Sequence, residues 1–158
     1  MASILPICQG LPIQDFAPGA VLLSEGATSG RLYVLLEGEV VVLKGDFEIN
    51  TVSDPGAIFG EISVLLGIPH MATVRATTSC RAYVVEDADA FLKANPQISY
   101  ELSRLLAQRL HGVTGYLVDL KRQYEDHGNH LGMIDDVLET LVHQQPNAFV
   151  PGSDRDPG

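Results

Sequence analysis

The sequence is poor in cysteine and contains no long apolar run. Cys8 and Cys80 are its only cysteines, and they lie far apart without a C-x-x-C spacing. The pair therefore has no metal-ligand pattern, and we interpret each as a structural thiol. No run of 18 apolar residues occurs, and the start lacks a basic stretch followed by an apolar one. We accordingly expect no membrane span, no signal peptide and a cytoplasmic location.

Basic residues are also scarce. Ten Lys and Arg stand against twenty Asp and Glu among 158 residues, which gives a formal net charge of -10. Nucleic acids are bound through clustered Lys and Arg, so this composition makes them poor partners. An acidic membrane surface would repel the same chain. We predict a protein that contacts neither nucleic acid nor membrane.

What the sequence does contain is a series of short apolar segments separated by glycine-rich turns, followed by helical patterns. Residues 1–18 are expected to be irregular because prolines interrupt them. Spacing and turn residues predict strands at 20–23, 31–36, 39–44, 47–52, 72–77 and 81–86. Residues 57–69 interrupt that rhythm. The pattern indicates a mainly β fold, a sandwich or barrel, with helices at its C-terminal end.

The helices begin after the last strand. Asp87 is predicted as the N-cap of a short helix over 88–93, and Pro96 suits the first position of a long helix over 97–126. A further amphipathic helix is expected over 131–145, and the tail at 151–158 is expected to be disordered. These boundaries predict one domain over 1–126, followed by a short helix and tail over 127–158.

The long helix carries an apolar seam with alternating steps of four and three. The seam consists of Leu106, Leu110, Val113, Leu117, Leu120 and Tyr124. This is the repeat of a coiled coil, so we expect a homodimer through the 97–126 helix. The alternative is an amphipathic helix that lies against its own domain.

The segment 58–74, IFGEISVLLGIPHMATV, carries the chemistry. Gly60 permits a tight turn and a close approach to a ligand, and residues 61–66 can form one helical turn. Free N–H groups at such a turn bind phosphate. A carboxylate at Glu61 can accept a hydrogen bond from a sugar hydroxyl, and Thr73 supplies a hydroxyl on the return strand. A phosphorylated sugar fits this pattern.

The segment resembles the phosphate-binding cassette of the cyclic nucleotide-binding domain family, whose pattern is F-G-E-(L/I)-A-L-L, three residues, then P-R-(A/S)-A-(T/S)-V. The match runs without a gap from Phe59 to Val74. Strands and glycine turns further upstream also fall where that family has them, so the resemblance covers about residues 11–120. It implies a jelly-roll-like β-roll capped by a long helix, without an enzymatic activity.

The resemblance also implies the ligand and its contacts. Cyclic AMP or cyclic GMP would be the ligand, and no further cofactor is expected. The cyclic phosphate would meet backbone N–H groups near Gly60, Ile62 and Ser63, and Glu61 would bind the ribose 2′-hydroxyl. Thr73 would lie near the base or phosphate, and Thr114 near the place where some relatives contact adenine. His70, Met71 and Ala72 complete the implied ligand-binding set.

Two positions depart from the family pattern. His70 stands where the family has an Arg that pairs with the phosphate, and Met71 replaces a small residue. Arg offers a permanently charged fork, whereas His is often neutral near pH 7. Losing such a partner to a buried anion costs about 2–5 kcal/mol, roughly 30- to 4000-fold in affinity. Arg75, two positions after Thr73 on one strand, is at best a weak substitute.

Two interpretations of His70 follow. In the first it is a weakened or pH-dependent phosphate partner, and affinity would rise as the pH falls through about 6.5. In the second it is an exposed turn residue of a domain that has lost its ligand. The carboxylate at Glu61 favours retained binding, because an empty pocket has no use for it.

Other patterns are weaker. His127 and His130 could bind a metal, but without a third ligand we interpret them as solvated turn residues and expect no metal site. We see no catalytic triad and no Walker loop. The first hypothesis is therefore a stand-alone sensor that signals to a protein partner by moving its long helix. The alternatives are a scaffold module without ligand, or a regulator that lacks its DNA-binding part.

Overall fold

The computed structural model describes residues 4–124 and 131–143. The β-strands within these residues are β1 Ile13–Phe16, β2 Val21–Leu23, β3 Leu32–Glu37, β4 Val40–Lys44, β5 Phe47–Val52, β6 Ile58–Phe59, β7 Thr73–Ala76 and β8 Cys80–Val85. The α-helices are α1 Glu61–Leu66, α2 Ala88–Ala94, α3 Pro96–Gln123 and α4 Leu131–His143. The predicted combination of a mainly β fold with C-terminal helices is confirmed.

The strands form two antiparallel sheets of four. The first has the order β1-β8-β3-β6, and the second has the order β2-β7-β4-β5. β3 and β4 are joined through the turn at Gly38 and lie in different sheets, so the chain crosses between the layers at that turn. This arrangement gives each sheet one face that can pack against the other.

The core lies between these faces. Alternate residues of both sheets point into it, as the two-residue period of a strand requires. Its members are Phe16, Leu22, Leu23, Tyr33, Leu35, Val40, Phe59, Val74, Ala76, Cys80, Ala82 and Val84. The rings of Phe16 and Tyr33 meet edge to face at 5.7 Å. Cys8 and Cys80 are both buried free thiols, as expected of structural cysteines.

Two elements differ from the sequence-based expectation. Residues 1–18 were expected to be irregular, yet they include a 3-10 turn at Leu5–Cys8 and the strand β1. β1 exists because it pairs with β8 from Ile13 opposite Tyr83 to Phe16 opposite Cys80. The strand β6 lies within the predicted interruption and pairs with Tyr33 and Val34 of β3. Partners distant in sequence stabilise both segments.

The helices agree with their predicted starts. The Asp87 carboxylate accepts a hydrogen bond from the Ala90 N–H and caps α2, and Pro96 begins α3. Contacts divide the chain into two compact units, Met1–Glu101 and Leu102–Gly158. In the second unit, Lys121 of α3 forms an ion pair with Asp135 of α4. α3 ends at Gln123, before the predicted end at 126, and Tyr124 is a turn residue. The predicted end of the last helix at 145 and the tail at 151–158 lie outside the described residues.

No helix within residues 4–124 and 131–143 is both long and apolar enough to cross a membrane.

The Gly38 turn offers a test of this fold. Gly38 and Gly45 both have positive φ, but a Cβ at Gly38 would lie 2.3 Å from the Ser79 carbonyl oxygen, whereas Gly45 has open space around it. Gly45→Ala should cost about 1 kcal/mol of unfolding free energy through backbone strain. Gly38→Ala should cost about 1–3 kcal/mol more because backbone must move. Urea unfolding measures both, and equal losses would contradict this packing.

Candidate functional site

The helix α1 begins at a glycine that no other residue can replace without strain. Gly60 has a φ of 94°, and a Cβ there would lie 2.5 Å from the carbonyl oxygen of Arg31. The helix ends at Gly67, which has a φ of 65° and whose N–H bonds to the Ser63 carbonyl. The predicted helical turn over 61–66 is confirmed by α1. Glycines with positive φ define both of its ends.

The first turn of α1 places polar groups inside the protein. Glu61 and Ser63 are only 5% and 8% exposed, whereas Ile62 between them is 38% exposed. The amide groups of a first helical turn have no acceptor within their own helix, so they are suited to an anion. A buried carboxylate therefore lies in the first turn of this helix.

The segment that returns from α1 is bound to the loop between β2 and β3. The Gly26 N–H donates to the His70 carbonyl and the His70 N–H donates to the Ala27 carbonyl, each at 2.8 Å. The Glu25 N–H donates to the Thr73 hydroxyl oxygen at 3.0 Å. These three bonds hold the return segment against the loop.

A second connection runs from the β4–β5 turn. The Lys44 ammonium donates to the Met71 carbonyl at 2.8 Å and lies 3.4 Å from a carboxylate oxygen of Glu25. The other oxygen of Glu25 accepts the Gly45 N–H at 2.8 Å. That backbone bond, with the nearby ammonium, lowers the pKa of the Glu25 carboxyl. Lys44 therefore already has a carboxylate partner.

His70 is a buried residue rather than an exposed one. It is 5% exposed, so the alternative of an exposed turn residue is wrong. Its Nε2 lies 2.7 Å from the Ser29 hydroxyl oxygen, and its Nδ1 lies 2.7 Å from that of Ser63. Burial lowers the pKa of the imidazole below its usual value. His70 thus favours the neutral form near pH 7, and both of its ring nitrogens have serine partners.

A cavity of about 370 Å³ lies on the α2 side of this histidine. Its lining residues are Thr28, Ser29, Gly30, Ser63, Val64, Gly67, Ile68, His70, Glu86, Asp87 and Asp89. Only Ser63 and His70 of the predicted ligand-binding set belong to it. Three carboxylates and no Lys or Arg line its wall, so it is a poor place for a phosphate.

Thr73 and Thr114 of the predicted ligand-binding set both form hydrogen bonds within the protein. Val74 and Ala76 of β7 point into the core, so Thr73 and Arg75 lie on the opposite face of that strand. The Thr73 hydroxyl contacts the β2–β3 loop, and Arg75 is exposed. Thr114, on α3 of the second unit, is half-buried and donates its hydroxyl to the Leu110 carbonyl.

Ser29 and Lys44 are the site residues that sequence reasoning missed. Ser29 lies 41 positions from His70, in a turn rich in Gly, Ser and Thr, and nothing in its local sequence distinguishes it. Lys44 ends a strand and looks like an ordinary solvated lysine. Only the folded chain places each of them beside the cassette.

No group of three or more His, Cys, Asp or Glu side chains suited to a metal occurs within 4–124 and 131–143. His127 and His130 lie outside the described residues.

Comparison with known proteins agrees with this geometry. Residues 13–94 match the cyclic nucleotide-binding domain family. The CRP-like cAMP-activated global transcriptional regulator of Mycobacterium tuberculosis is 31% identical over 126 residues, which cover 75% of this chain and 56% of the regulator. A cAMP-dependent protein kinase regulatory subunit of Hypocrea atroviridis is 35% identical over 75 residues, which cover 48% of this chain and 16% of that subunit.

The Thermus thermophilus catabolite activator protein has the same fold. The two structures match over 89% of this chain and 81% of the activator chain, with a TM-score of 0.62 and 17% sequence identity. The chain spans about half the length of the mycobacterial regulator that it matches. Over half of the chain matches the family, and its two sheets and glycine-flanked helix match the expected β-roll. The chain belongs to the cyclic nucleotide-binding domain family.

Proposed function

We propose that the protein is a sensor that binds cyclic AMP or cyclic GMP at the α1 cassette and does not catalyse a reaction. The observation that carries this proposal is the buried Glu61 in the first turn of a helix that begins at the positive-φ Gly60. Burying a carboxylate costs free energy, so its position in this turn favours a role for it in binding. A ribose hydroxyl and a phosphate would engage both features together.

In this proposal the phosphate is held by neutral donors. The backbone amides near Gly60, Ile62 and Ser63 face it, together with those of Met71 and Ala72 on the return segment. His70 favours its neutral form, and Lys44 is paired with Glu25. Contact of Thr73 with the base or phosphate stays a prediction, and its hydroxyl oxygen accepts a bond from the β2–β3 loop. Contact of Thr114 with the base stays a prediction.

The proposed output is a movement of the C-terminal helix that a protein partner detects. Ile62, Leu65, Leu66 and Met71 leave apolar surface exposed on and beside α1 in the first unit. Such a surface is suited to a contact that changes when ligand binds. The partner, the cytoplasmic location and the absence of nucleic-acid binding stay predictions of the sequence.

Two other functions stay open to the same test. A scaffold module would keep the fold without a ligand. A regulator of the mycobacterial type would use this domain to control a DNA-binding part, and here the match covers only 56% of that relative.

Calorimetric titration of the nucleotide-stripped protein with each cyclic nucleotide tests the sensor proposal. We expect binding in the wild type and a loss of about 10- to 100-fold in Glu61→Ala, because a charge-assisted hydrogen bond to the ribose disappears. Glu61→Gln keeps the shape and should also weaken binding. Glu48→Ala, which removes an exposed carboxylate of β5, is the matched control and should bind normally.

Thermal unfolding of each variant separates a lost contact from a lost fold. Absence of heat with either nucleotide in folded wild-type protein would reject the sensor and favour the scaffold.

We further propose that α3 forms a homodimer. Along its seam Leu110, Val113 and Tyr124 are 42%, 51% and 45% exposed in the single chain, and the remaining seam residues are half-buried. A helix with this much apolar surface along a coiled-coil repeat is suited to a second copy.

Sedimentation equilibrium tests the dimer. Val113→Glu should raise the dimer dissociation constant at least about tenfold, because it buries a charge in the seam. Gln108→Glu changes an exposed residue outside the seam and should leave the dissociation constant unchanged. A monomeric wild type at high micromolar concentration, or equal effects of both variants, would contradict the α3 dimer.

A further inference from the structure

His70 takes part in a series of hydrogen bonds that one tautomer of its ring satisfies completely. The Ser63 hydroxyl has one proton, and it donates to the Gly60 carbonyl at 3.1 Å. With that proton given to Gly60, the Ser63 oxygen accepts from Nδ1 of His70, an arrangement that satisfies both contacts and puts the ring proton on Nδ1. Nε2 is then an acceptor, and the Ser29 hydroxyl donates to it. The Ser29 oxygen in turn accepts the Arg31 N–H at 3.2 Å.

This series of hydrogen bonds joins three parts of the site. The series begins at Arg31, just before β3, passes through Ser29 and His70, and ends on the carbonyl of Gly60, the residue that precedes α1. Every member uses its single proton once, in one direction. The backbone bonds between His70 and Gly26 and Ala27 run beside it. Together they fasten the first turn of α1 to the sheet.

We infer that His70 is a positioning residue: in its neutral, Nδ1-protonated form, bonded to Ser29 and Ser63, it holds the cassette in its binding shape instead of contacting the phosphate. This inference rests on the proposed function of the cassette. It differs from the phosphate-partner hypothesis in the direction in which acidification changes the affinity for the nucleotide. As a phosphate partner, His70 would bind better when protonated. As a member of this series of hydrogen bonds, it supports binding only when neutral.

Protonation breaks the chain at a defined bond. A second proton on Nε2 turns that atom from acceptor to donor, so the Ser29 hydroxyl must turn away. The cavity that His70 lines also carries the carboxylates Glu86, Asp87 and Asp89, and Glu61 is buried on α1. Arg31 pairs with Glu86 at 3.7 Å and Lys93 with Asp89 at 2.8 Å. Carboxylates would favour a charged imidazole, yet burial opposes it and lowers the pKa of His70.

The first test is imidazole nitrogen NMR of the full chain at pH 7.5, without ligand. The protein has five histidines, and His70→Gln identifies the signal. We expect a neutral ring with a proton on Nδ1 and none on Nε2. Ser63→Ala should shift the tautomer balance towards Nε2–H, since its acceptor is gone. A wild-type ring with its proton on Nε2, or a charged ring, would overturn the inference.

The second test is the affinity for cyclic AMP and cyclic GMP between pH 8 and pH 5. Since the folded pKa of His70 is lowered, affinity should stay level above about pH 6.5 and fall at more acid pH. His70→Gln should remove this acid loss, whereas His111→Gln, an exposed histidine on α3, should keep it. Ser29→Ala should weaken binding about 2- to 10-fold at pH 7.5. Affinity that rises on acidification would overturn the inference.

The two tests separate the two proposals. If neither nucleotide binds at any pH, the proposed function fails, and the tautomer alone decides on the hydrogen-bond chain. If a nucleotide binds while the ring proton lies on Nε2, or with an affinity that rises on acidification, the sensor proposal is supported. The positioning role of His70 is then rejected.

Discussion

The close approach of Gly60 to the carbonyl oxygen of Arg31 determines where the cassette can form. A side chain at this position would lie 2.5 Å from that oxygen, and its φ of 94° is strained for any residue with a Cβ. Because the backbone passes so close to β3, α1 starts at the edge of the sheet with Glu61 buried. The geometry of the proposed binding site therefore follows from one contact between two backbone segments.

The three side chains considered as cationic partners of a phosphate, those of His70, Lys44 and Arg75, each have another partner or position. His70 stands where the family pattern has Arg, and its two nitrogens are used by Ser29 and Ser63. Lys44 is paired with Glu25, and Arg75 lies on the outer face of β7. A cyclic phosphate bound here would depend on oriented neutral donors. Such donors are effective only when they are fixed in advance, which gives the hydrogen-bond chain through His70 its importance.

Local signals predicted much of the fold. Glycine turns predicted the boundaries of most strands to within one or two residues. Asp87 and Pro96 predicted the starts of two helices, and α1 occupies the predicted residues 61–66. β1 and β6 could not be predicted. β1 is four residues between prolines and β6 is only two residues, so neither shows a usable periodicity. They are strands only because β8 and β3 pair with them.

The site was less predictable than the fold. The cassette could be identified because its residues are contiguous, but the partners of His70 are 7 and 41 residues away. The resemblance implied a place near the ligand for Thr73, but no local signal predicted that its hydroxyl would accept the Glu25 N–H of the β2–β3 loop. Side-chain direction and distant hydrogen bonds are properties of the folded chain, and one sequence does not contain them.

The central claim is that the cassette binds a cyclic nucleotide through its backbone amides. Amide nitrogen–proton NMR during titration with cyclic AMP, cyclic GMP and a linear 5′-nucleotide tests it most directly. The predicted result is a saturable shift of the Gly60, Ile62 and Ser63 amides with a cyclic nucleotide, and a much weaker one with the linear form. Saturable shifts confined to other parts of the protein, or none at millimolar ligand, would contradict it.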